Sequence, residues 1–333
     1  MSATLQADPA TPAGSASGLK TRRPLGDLIF QILALVSGLL VLVILVLIAV
    51  TMSQQSTQWF TSEGWSGIFS IDFDPAHNKF GAMAFVYGTV LSSVIGVIIA
   101  FPVSVGVALL LTEAVPRRWA RPIVYVIDLL AVVPSVVWGL WGFLVFIPWV
   151  SPIYAHIASA VKPIPVLTQL FGPINGNFTS GASFFTAGLI LAVMITPIVT
   201  SLSREVIATV PASDKEGAYA LGATRWEMIR GAVWPHAQTG VMGATLLGLG
   251  RAMGETIAVF MVIGGSPSIA SHLFTSGQSM AGIIAADFGE ANVGVFRAAL
   301  IGMGVLLFAI TIIINLTARG IVERNVRRAR GTA

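Results

Sequence analysis

Six long apolar segments constrain this chain more than any other feature of its sequence. Each is long enough to cross a hydrocarbon core of about 30 Å, which takes roughly 20 helical residues. Because a backbone in lipid must satisfy its own hydrogen bonds, such segments are expected to be helices. The sequence places them near 28–52, 83–112, 121–149, 184–210, 238–264 and 294–318. They predict an all-α polytopic membrane protein with six transmembrane helices.

Composition supports this fold class and excludes several functions. Hydrophobic residues make up 55% of the 333 residues and charged residues only 10%, whereas soluble domains carry about a quarter charged residues. The chain has no cysteine, which excludes disulfides, thiolate metal sites and cysteine nucleophiles. The net charge of +4 does not indicate nucleic-acid binding, because the basic residues stand at the edges of apolar segments.

The positions of lysine and arginine predict the orientation of the chain. Positive residues beside a span are retained in the cytoplasm. With the N-terminus inside, most of the 19 basic residues flank cytoplasmic ends, so both termini are predicted to be cytoplasmic. The predicted domains are a disordered cytoplasmic tail at 1–27, a six-helix transmembrane domain at 28–318 and a basic cytoplasmic tail at 319–333.

Small residues recur every four positions in the second and fifth spans, which is typical of close helix packing in lipid. They are Gly88, Ser92, Gly96, Ala100, Ser104 and Ala108 in the second span, and Gly240, Ala244, Gly248 and Ala252 in the fifth. Proline residues within the spans are expected to kink or interrupt them where neighbours satisfy the freed backbone groups. Two sizeable outer loops, 53–82 and 151–183, either contact a partner or cap the bundle.

The cytoplasmic segment 211–236, between the fourth and fifth spans, predicts a shaped projection rather than a plain connector. Ser213 and Glu216 have the spacing of a capping box, in which each side chain bonds the other's backbone donor. Gly222 suits the left-handed conformation that commonly ends a helix. This segment therefore predicts a short helix followed by a glycine hinge.

A second short helix is predicted after the hinge. Thr224 and Glu227 repeat the capping-box spacing, and Pro235 is expected to close this helix. The tip between the two helices, 218–221, is mostly small or apolar, which favours insertion into a groove of a partner. The alternative is an amphipathic hairpin that lies on the membrane surface.

The run Glu216-Gly217-Ala218, then Gly222, then Ala232-Val233-Trp234-Pro235 resembles the EAA loop of ABC importer permeases. The family pattern is Glu-Ala-Ala, Gly, Ile-x-Leu-Pro at the same spacing. This chain departs from it at Gly217, Ala232 and Trp234. The resemblance implies that the loop is a coupling helix that sits in a cleft of an ATP-hydrolysing subunit, with Glu216 and Gly222 setting its shape.

Two further runs are similar to permeases of the phosphate type, namely 131–142 and 246–264, the second containing Gly250-Arg251-Ala252-Met253-Gly254-Glu255-Thr256. The resemblance implies a type I ABC importer permease fold in a bacterial inner membrane. It also implies a heterodimer with a PstA-type permease, two PstB-type ATPase subunits and an extracytoplasmic phosphate-binding protein. The chain itself is expected to be a non-hydrolytic permease subunit without a cofactor.

Arg251 lies about midway along the predicted fifth span, and Glu255 follows it by one helical turn. An ionised side chain at such depth requires a partner or a wet cavity and often marks a substrate pathway. A guanidinium offers bidentate donors suited to a phosphate oxyanion, and Glu255 would keep binding weak enough for release. The alternative is a neutralised ion pair that only fixes helix contacts.

Other functions remain open from the residues alone. Arginine chemistry does not separate phosphate from phosphonate, sulfate or molybdate. An ion-driven secondary carrier should show inverted repeats, and none is evident. An integral-membrane enzyme needs a catalytic constellation; the four histidines share no ligand spacing, so no metal site or catalytic residue is predicted.

Overall fold

The computed structural model describes residues 25–172, 181–291 and 294–331, and regular structure in these ranges is almost entirely α-helical. The chain divides into two compact units, Met1–Val50 and Thr51–Ala333. In the first unit the described residues belong to helix α1 (Leu25–Gln55), whose large apolar side chains are exposed. Most of the predicted tail at 1–27 lies outside the described residues.

The second unit holds the remaining elements. Its helices are α2 (Thr57–Glu63), α3 (Ser66–Phe69), α4 (Met83–Leu109), α5 (Arg117–Val132), α6 (Ser135–Trp141), α7 (Ile147–Ala160), α8 (Pro165–Phe171), α9 (Phe184–Ala208), α10 (Ala212–Ala220), α11 (Arg225–Met228), α12 (Trp234–Met253), α13 (Ile257–Ile263), α14 (Met280–Asp287) and α15 (Val295–Gly331). Two short strands, β1 (Phe73–Asp74) and β2 (Lys79–Phe80), pair antiparallel. Single π-helical turns cover Leu110–Ala114, Gly142–Phe146 and Ile229–Val233.

Six segments of the described chain are long and apolar enough to cross a membrane when one bent pair of helices counts as a single span. They are Gly26–Gln55, Met83–Ala114, Ser135–Ala160, Phe184–Ala208, Val295–Arg324, and the pair Arg225–Met253 with Ile257–Ile263. The predicted number of spans is therefore confirmed. Their boundaries differ from the prediction at the third and fifth spans.

The predicted third span, 121–149, is wrong. Helix α5 ends at Val132, and Val133 adopts an extended conformation with ψ 126°, as expected for a residue that precedes a proline. A new helical segment begins after Pro134 and continues to Ala160 through the π-turn. The span therefore lies about a dozen residues later than predicted, and its outer end occupies the first part of the predicted loop 151–183.

The core of the second unit forms around α9, which packs against α4 and α12. All six small residues predicted on α4 are buried. At Gly96 and Gly188 these helices approach so closely that an added Cβ would meet Leu191 or Ile95 of the other helix. On α12, Gly240 and Gly248 lie against Val206 and Val199 of α9. The small-residue repeats thus serve helix packing.

The predicted fifth span, 238–264, is not one helix. Helix α12 ends at Met253, and α13 leaves it at an angle of 65°. Beyond α13 the chain folds back, so that Gly277 N donates to Ile263 O at 2.9 Å and Phe184 N donates to Thr275 O at 3.0 Å. The segment between α13 and α14 is thereby joined to the start of α9.

The predicted outer loop 53–82 is also folded. Trp59 is buried and its Nε1 donates to the Phe80 carbonyl oxygen at 3.0 Å. Phe80 in turn stacks on Phe296 of α15, with ring centroids 5.5 Å apart. These contacts make a structured outer cap on the second unit.

Candidate coupling loop and substrate pathway

The glycine hinge of segment 211–236 ends helix α10 in a closed hydrogen-bonded turn. Gly222 has φ +80°, a left-handed conformation that costs glycine little. Gly222 N donates to Tyr219 O at 2.9 Å, and Ala223 N donates to Ala218 O at 3.1 Å. This pair of bonds is a Schellman motif, which satisfies the last carbonyl groups of the helix.

Helix α11 begins with the capping box expected at Thr224 and Glu227. Glu227 Oε2 accepts from Thr224 N at 2.8 Å, and Thr224 Oγ1 accepts from Glu227 N at 3.4 Å. Two backbone donors at the helix start are therefore satisfied reciprocally. The hinge between α10 and α11 is therefore held by hydrogen bonds at the end of α10 and at the start of α11.

The capping box predicted at Ser213 and Glu216 is absent. Pro211 is the N-cap residue and its side chain offers no acceptor, so α10 starts at Ala212 and Ser213 lies inside the first turn. There the Ser213 Oγ donates to Asp214 Oδ1 at 3.3 Å. Glu216 is exposed and remains available for a partner.

Pro235 does not close the second helix, which corrects that prediction. The helix runs from Arg225 to Met253 without a break, and Pro235 lies in the first turn of α12. The π-turn Ile229–Val233 immediately precedes it. A π-turn widens the helix locally and gives room for the proline ring, so the helix continues through Pro235. The segment 211–236 is therefore continuous with the fifth span.

An ion pair that the sequence did not reveal fixes α10 to the bundle. Lys215 Nζ lies 2.6 Å from Glu113 Oε1, and their side chains are 21% and 7% exposed. Glu113 belongs to the π-turn that ends the second span. Beside this pair, Ala218 packs on an apolar cluster that includes Met228 and Val233. The two residues are separated by 102 positions, so no local pattern could identify them as partners.

The outer surface of the loop is free of contacts that would bury it. Leu221 is 91% exposed, and Tyr219 and Trp226 are also exposed. Gly217 is exposed, and a Cβ there would have open space. Exposed apolar side chains on a capped projection favour contact with a protein surface.

Arg251 and Glu255 lie on the two sides of the break in the fifth span. Arg251 is in the last turn of α12, whereas Glu255 precedes α13 and its Oε1 accepts from Ala258 N at 3.4 Å. Among the ion pairs of the described chain none joins them. The predicted one-turn spacing on a continuous helix therefore does not hold, because the chain bends between the two residues.

Arg251 is exposed on the surface of this chain, and Glu255 is half-buried. A guanidinium within a span is costly against lipid. Its surroundings must therefore be water or another protein. The described part of the chain contains no group of three or more residues suited to hold a metal ion.

Comparison with known proteins gives a consistent result over most of the chain. Residues 94–331 match the family described as binding-protein-dependent transport system inner membrane component. A Mesorhizobium japonicum protein named phosphate transport system permease protein PstC is 38% identical, with 97% of this chain and 98% of the relative covered. Proteins of the same name from Xylella fastidiosa and Haemophilus influenzae are each 39% identical, covering 93% and 85% of this chain and 95% and 89% of the relatives.

Solved structures support the fold. One is a bacterial ABC transporter involved in the import of the acidic polysaccharide alginate, with a TM-score of 0.55, 15% identity, and coverage of 90% of this chain and 98% of that chain. The alginate transporter in complex with a pentasaccharide-bound periplasmic protein gives a TM-score of 0.52 at 16% identity, covering 91% and 98%. At this level of identity the likeness concerns architecture alone.

Proposed function

The chain belongs to the family of binding-protein-dependent transport system inner membrane components, and from this premise we propose that it carries inorganic phosphate into the cytoplasm as one permease subunit of an ATP-driven importer. It is a multi-pass plasma-membrane protein and not an enzyme. The phosphate assignment rests on relatives named phosphate transport system permease protein PstC, which match it over most of its length.

Exposed Arg251 at the break of the fifth span is the structural observation that carries the proposed pathway. A charge at that position needs an aqueous path or a second protein. An arginine can hold a phosphate oxyanion with two parallel hydrogen bonds. Phosphate would therefore pass along the α12 surface, between this chain and a second permease.

Glu255 has a different part in this pathway from the one that its spacing indicated. Its carboxylate accepts from the backbone of α13 and thereby helps to define the bend beside Arg251. The negative charge also lowers the net attraction that the site exerts on an anion. Both effects suit a site that must release its permeant after each passage.

In this proposal, the coupling loop, segment 211–236, transmits mechanical force to the site at Arg251. ATP binding in a separate subunit closes a cleft around α10, with Glu216 and Gly217 exposed toward that subunit, Ala218 packed on the bundle beneath them, and Gly222 keeping the turn rigid. Because α11 continues into α12, displacement of the loop shifts the helix that bears Arg251. Alternating access to the two sides of the membrane follows from this movement.

The proposed complex contains a PstA-type second permease, two PstB-type ATPase subunits and an extracytoplasmic phosphate-binding protein. The family description supports the binding protein. A second permease is supported by Arg251, because this chain alone leaves that residue uncovered.

Reconstitution tests the proposed function. The full complex in vesicles is expected to accumulate labelled phosphate only with ATP and with all subunits present. Excess unlabelled phosphate should abolish the signal, whereas sulfate, molybdate and phosphonate should not. Full uptake by this chain alone would contradict an ATP-driven mechanism, and equal competition by another oxyanion would contradict the assignment of phosphate.

A further inference from the structure

A cavity of about 310 Å³ lies at the predicted cytoplasmic end of the bundle. Its walls come from the π-turn after α4, the first half of α5 and the end of α9. Three arginines line it: Arg117 and Arg121 from α5 and Arg204 from α9. The proposed transport pathway along α12 uses none of them.

The three guanidinium groups have no protein counter-ion in the described part of the chain. Neither Glu113 nor Asp128 lines the cavity; Glu113 is paired with Lys215, and Asp128 accepts from Ser201 Oγ at 3.0 Å. Glu205 follows Arg204 in sequence but is exposed and does not line the cavity.

Like charges one helical turn apart, as at Arg117 and Arg121, destabilise a helix. The chain therefore gathers positive charge around a cavity without neutralising it. Such a cavity is suited to an anion, and the planar guanidinium groups match the oxygen atoms of a phosphate.

The surface beside the cavity indicates where the anion comes from. Past Arg121, helix α5 exposes Tyr125, Leu129 and Val132, which are 69%, 70% and 79% exposed. Tyr125 also lines the cavity. A helix with arginines at one end and large apolar side chains on its outer face is typical of the boundary between lipid headgroups and acyl chains. Basic pockets between helices on the cytoplasmic side bind anionic headgroups.

We propose that the cavity lined by Arg117, Arg121 and Arg204 binds the phosphate group of an anionic phospholipid from the inner leaflet. The acyl chains of that lipid lie along the apolar face of α5. Free inorganic phosphate offers the same chemistry from the cytoplasm, but it would make no use of this apolar face.

Lipid binding to the full-length chain, purified and incorporated into discs of phosphatidylcholine with a small fraction of phosphatidylglycerol, tests the proposal. The amount of phosphatidylglycerol that remains bound after transfer to detergent is measured by mass spectrometry. Loss of one charge-assisted interaction is expected to weaken binding about tenfold. Arg204→Gln should show this loss, and the double variant Arg117→Gln with Arg121→Gln should show a larger one.

Arg118→Gln is the matched control, because it removes the same charge from the same helix and does not line the cavity. Retention of phosphatidylglycerol by this variant would support a defined site. An equal loss in Arg118→Gln would overturn the proposal in favour of general attraction to the surface. Unchanged binding in both cavity variants would overturn it as well.

A second arm separates the two sources of phosphate. Inorganic phosphate is titrated against the chain in discs of phosphatidylcholine alone, and heat is recorded for the parent chain and the double variant. If no heat signal depends on Arg117 and Arg121, the result supports a phospholipid as the ligand of the cavity. A saturable signal lost in the double variant, without enrichment of phosphatidylglycerol, would overturn the lipid as the ligand. Arg117→Lys with Arg121→Lys keeps the charge and serves as a folding control.

Discussion

Two helix interruptions lie at the two proposed functional sites of this molecule, and they are built in opposite ways. Between α10 and α11, a glycine with φ +80° and a Schellman motif close the turn, and a capping box satisfies the next helix. Between α12 and α13, Gly254 has φ −85° and the chain bends by 65° beside an exposed arginine.

The difference fits what the proposed mechanism requires of each interruption. The first projects into water and has to keep one shape while it is pushed, so its own hydrogen bonds hold it together. The second lies within a span, where it presents a charge and has to let a permeant arrive and leave. A closed turn suits transmission of force, and an open bend suits binding.

The largest loss of uptake is expected when Arg251, beside the open bend, is replaced by glutamine. Two charge-assisted hydrogen bonds to an oxyanion are lost, each worth about 1.5–3 kcal/mol. We expect uptake of labelled phosphate by the whole transporter to fall by at least about 100-fold. Initial rates of uptake in cells that express all subunits would measure the effect.

Lys79→Gln removes one exposed outer cation, which lies 3.7 Å from Asp72, and is the control for Arg251. It should leave uptake unchanged. Co-purification of the ATPase subunits with the Arg251 variant should also be normal, because the closed turn is intact. Uptake within about twofold of the parent protein would show that Arg251 does not contact the permeant.

The Lys215–Glu113 ion pair ties the closed turn to the bundle, and Lys215→Met should break that tie. Glu113 would keep its charge at 7% exposure, which is destabilising when the partner is removed. We expect a loss in uptake of about tenfold. The ATPase rate should fall less than uptake, because force is still generated but is poorly transmitted.

A double variant sharpens this test. Lys215→Met combined with Glu113→Leu removes both charges, and replacing a buried pair by apolar side chains is often nearly neutral. Stability should therefore recover in the double variant. Recovery of stability without recovery of uptake would assign the pair a positioning role in coupling. Full recovery of both would limit the pair to a structural role.

Gly222→Ala tests the closed turn itself. A residue with a Cβ pays about 1–2 kcal/mol in the left-handed conformation, so the Schellman motif should loosen. The expected result is about tenfold weaker binding of the ATPase subunits, measured by co-purification at increasing salt. Gly231→Ala is the matched control, because Gly231 has open space around it and no left-handed φ. Equal losses in both variants would contradict a special role for the turn.

The two interruptions also differ in how far the sequence predicted them. The capped turn depends on residues within a few positions of each other, so Gly222, Thr224 and Glu227 could be assigned from spacing. The bend after Met253 depends on packing of α13 against α6, where Gly139 allows Ala258 to approach closely. No local pattern identifies such a contact.

The prolines illustrate the same limit. Pro102 and Pro197 lie inside continuous helices, whereas Pro134 ends one. Hydropathy is similar around all three, so it could not predict that the third span would shift. Which prolines interrupt a helix depends on neighbouring helices that satisfy the freed backbone groups.

Gly217→Ala is expected to have the smallest effect of these variants. It tests a glycine beside the closed turn, whereas Gly222→Ala tests the glycine within it. Gly217 lies within α10, where an added Cβ meets open space. Alanine should therefore stabilise the helix by about 0.5–1 kcal/mol and bring the sequence to the Glu-Ala-Ala pattern of the family. Uptake and ATPase binding are expected to stay within about twofold, because the turn at Gly222 sets the shape of the projection. A loss of tenfold or more would mean that the Cβ meets the partner, so that the groove around α10 is fitted to glycine.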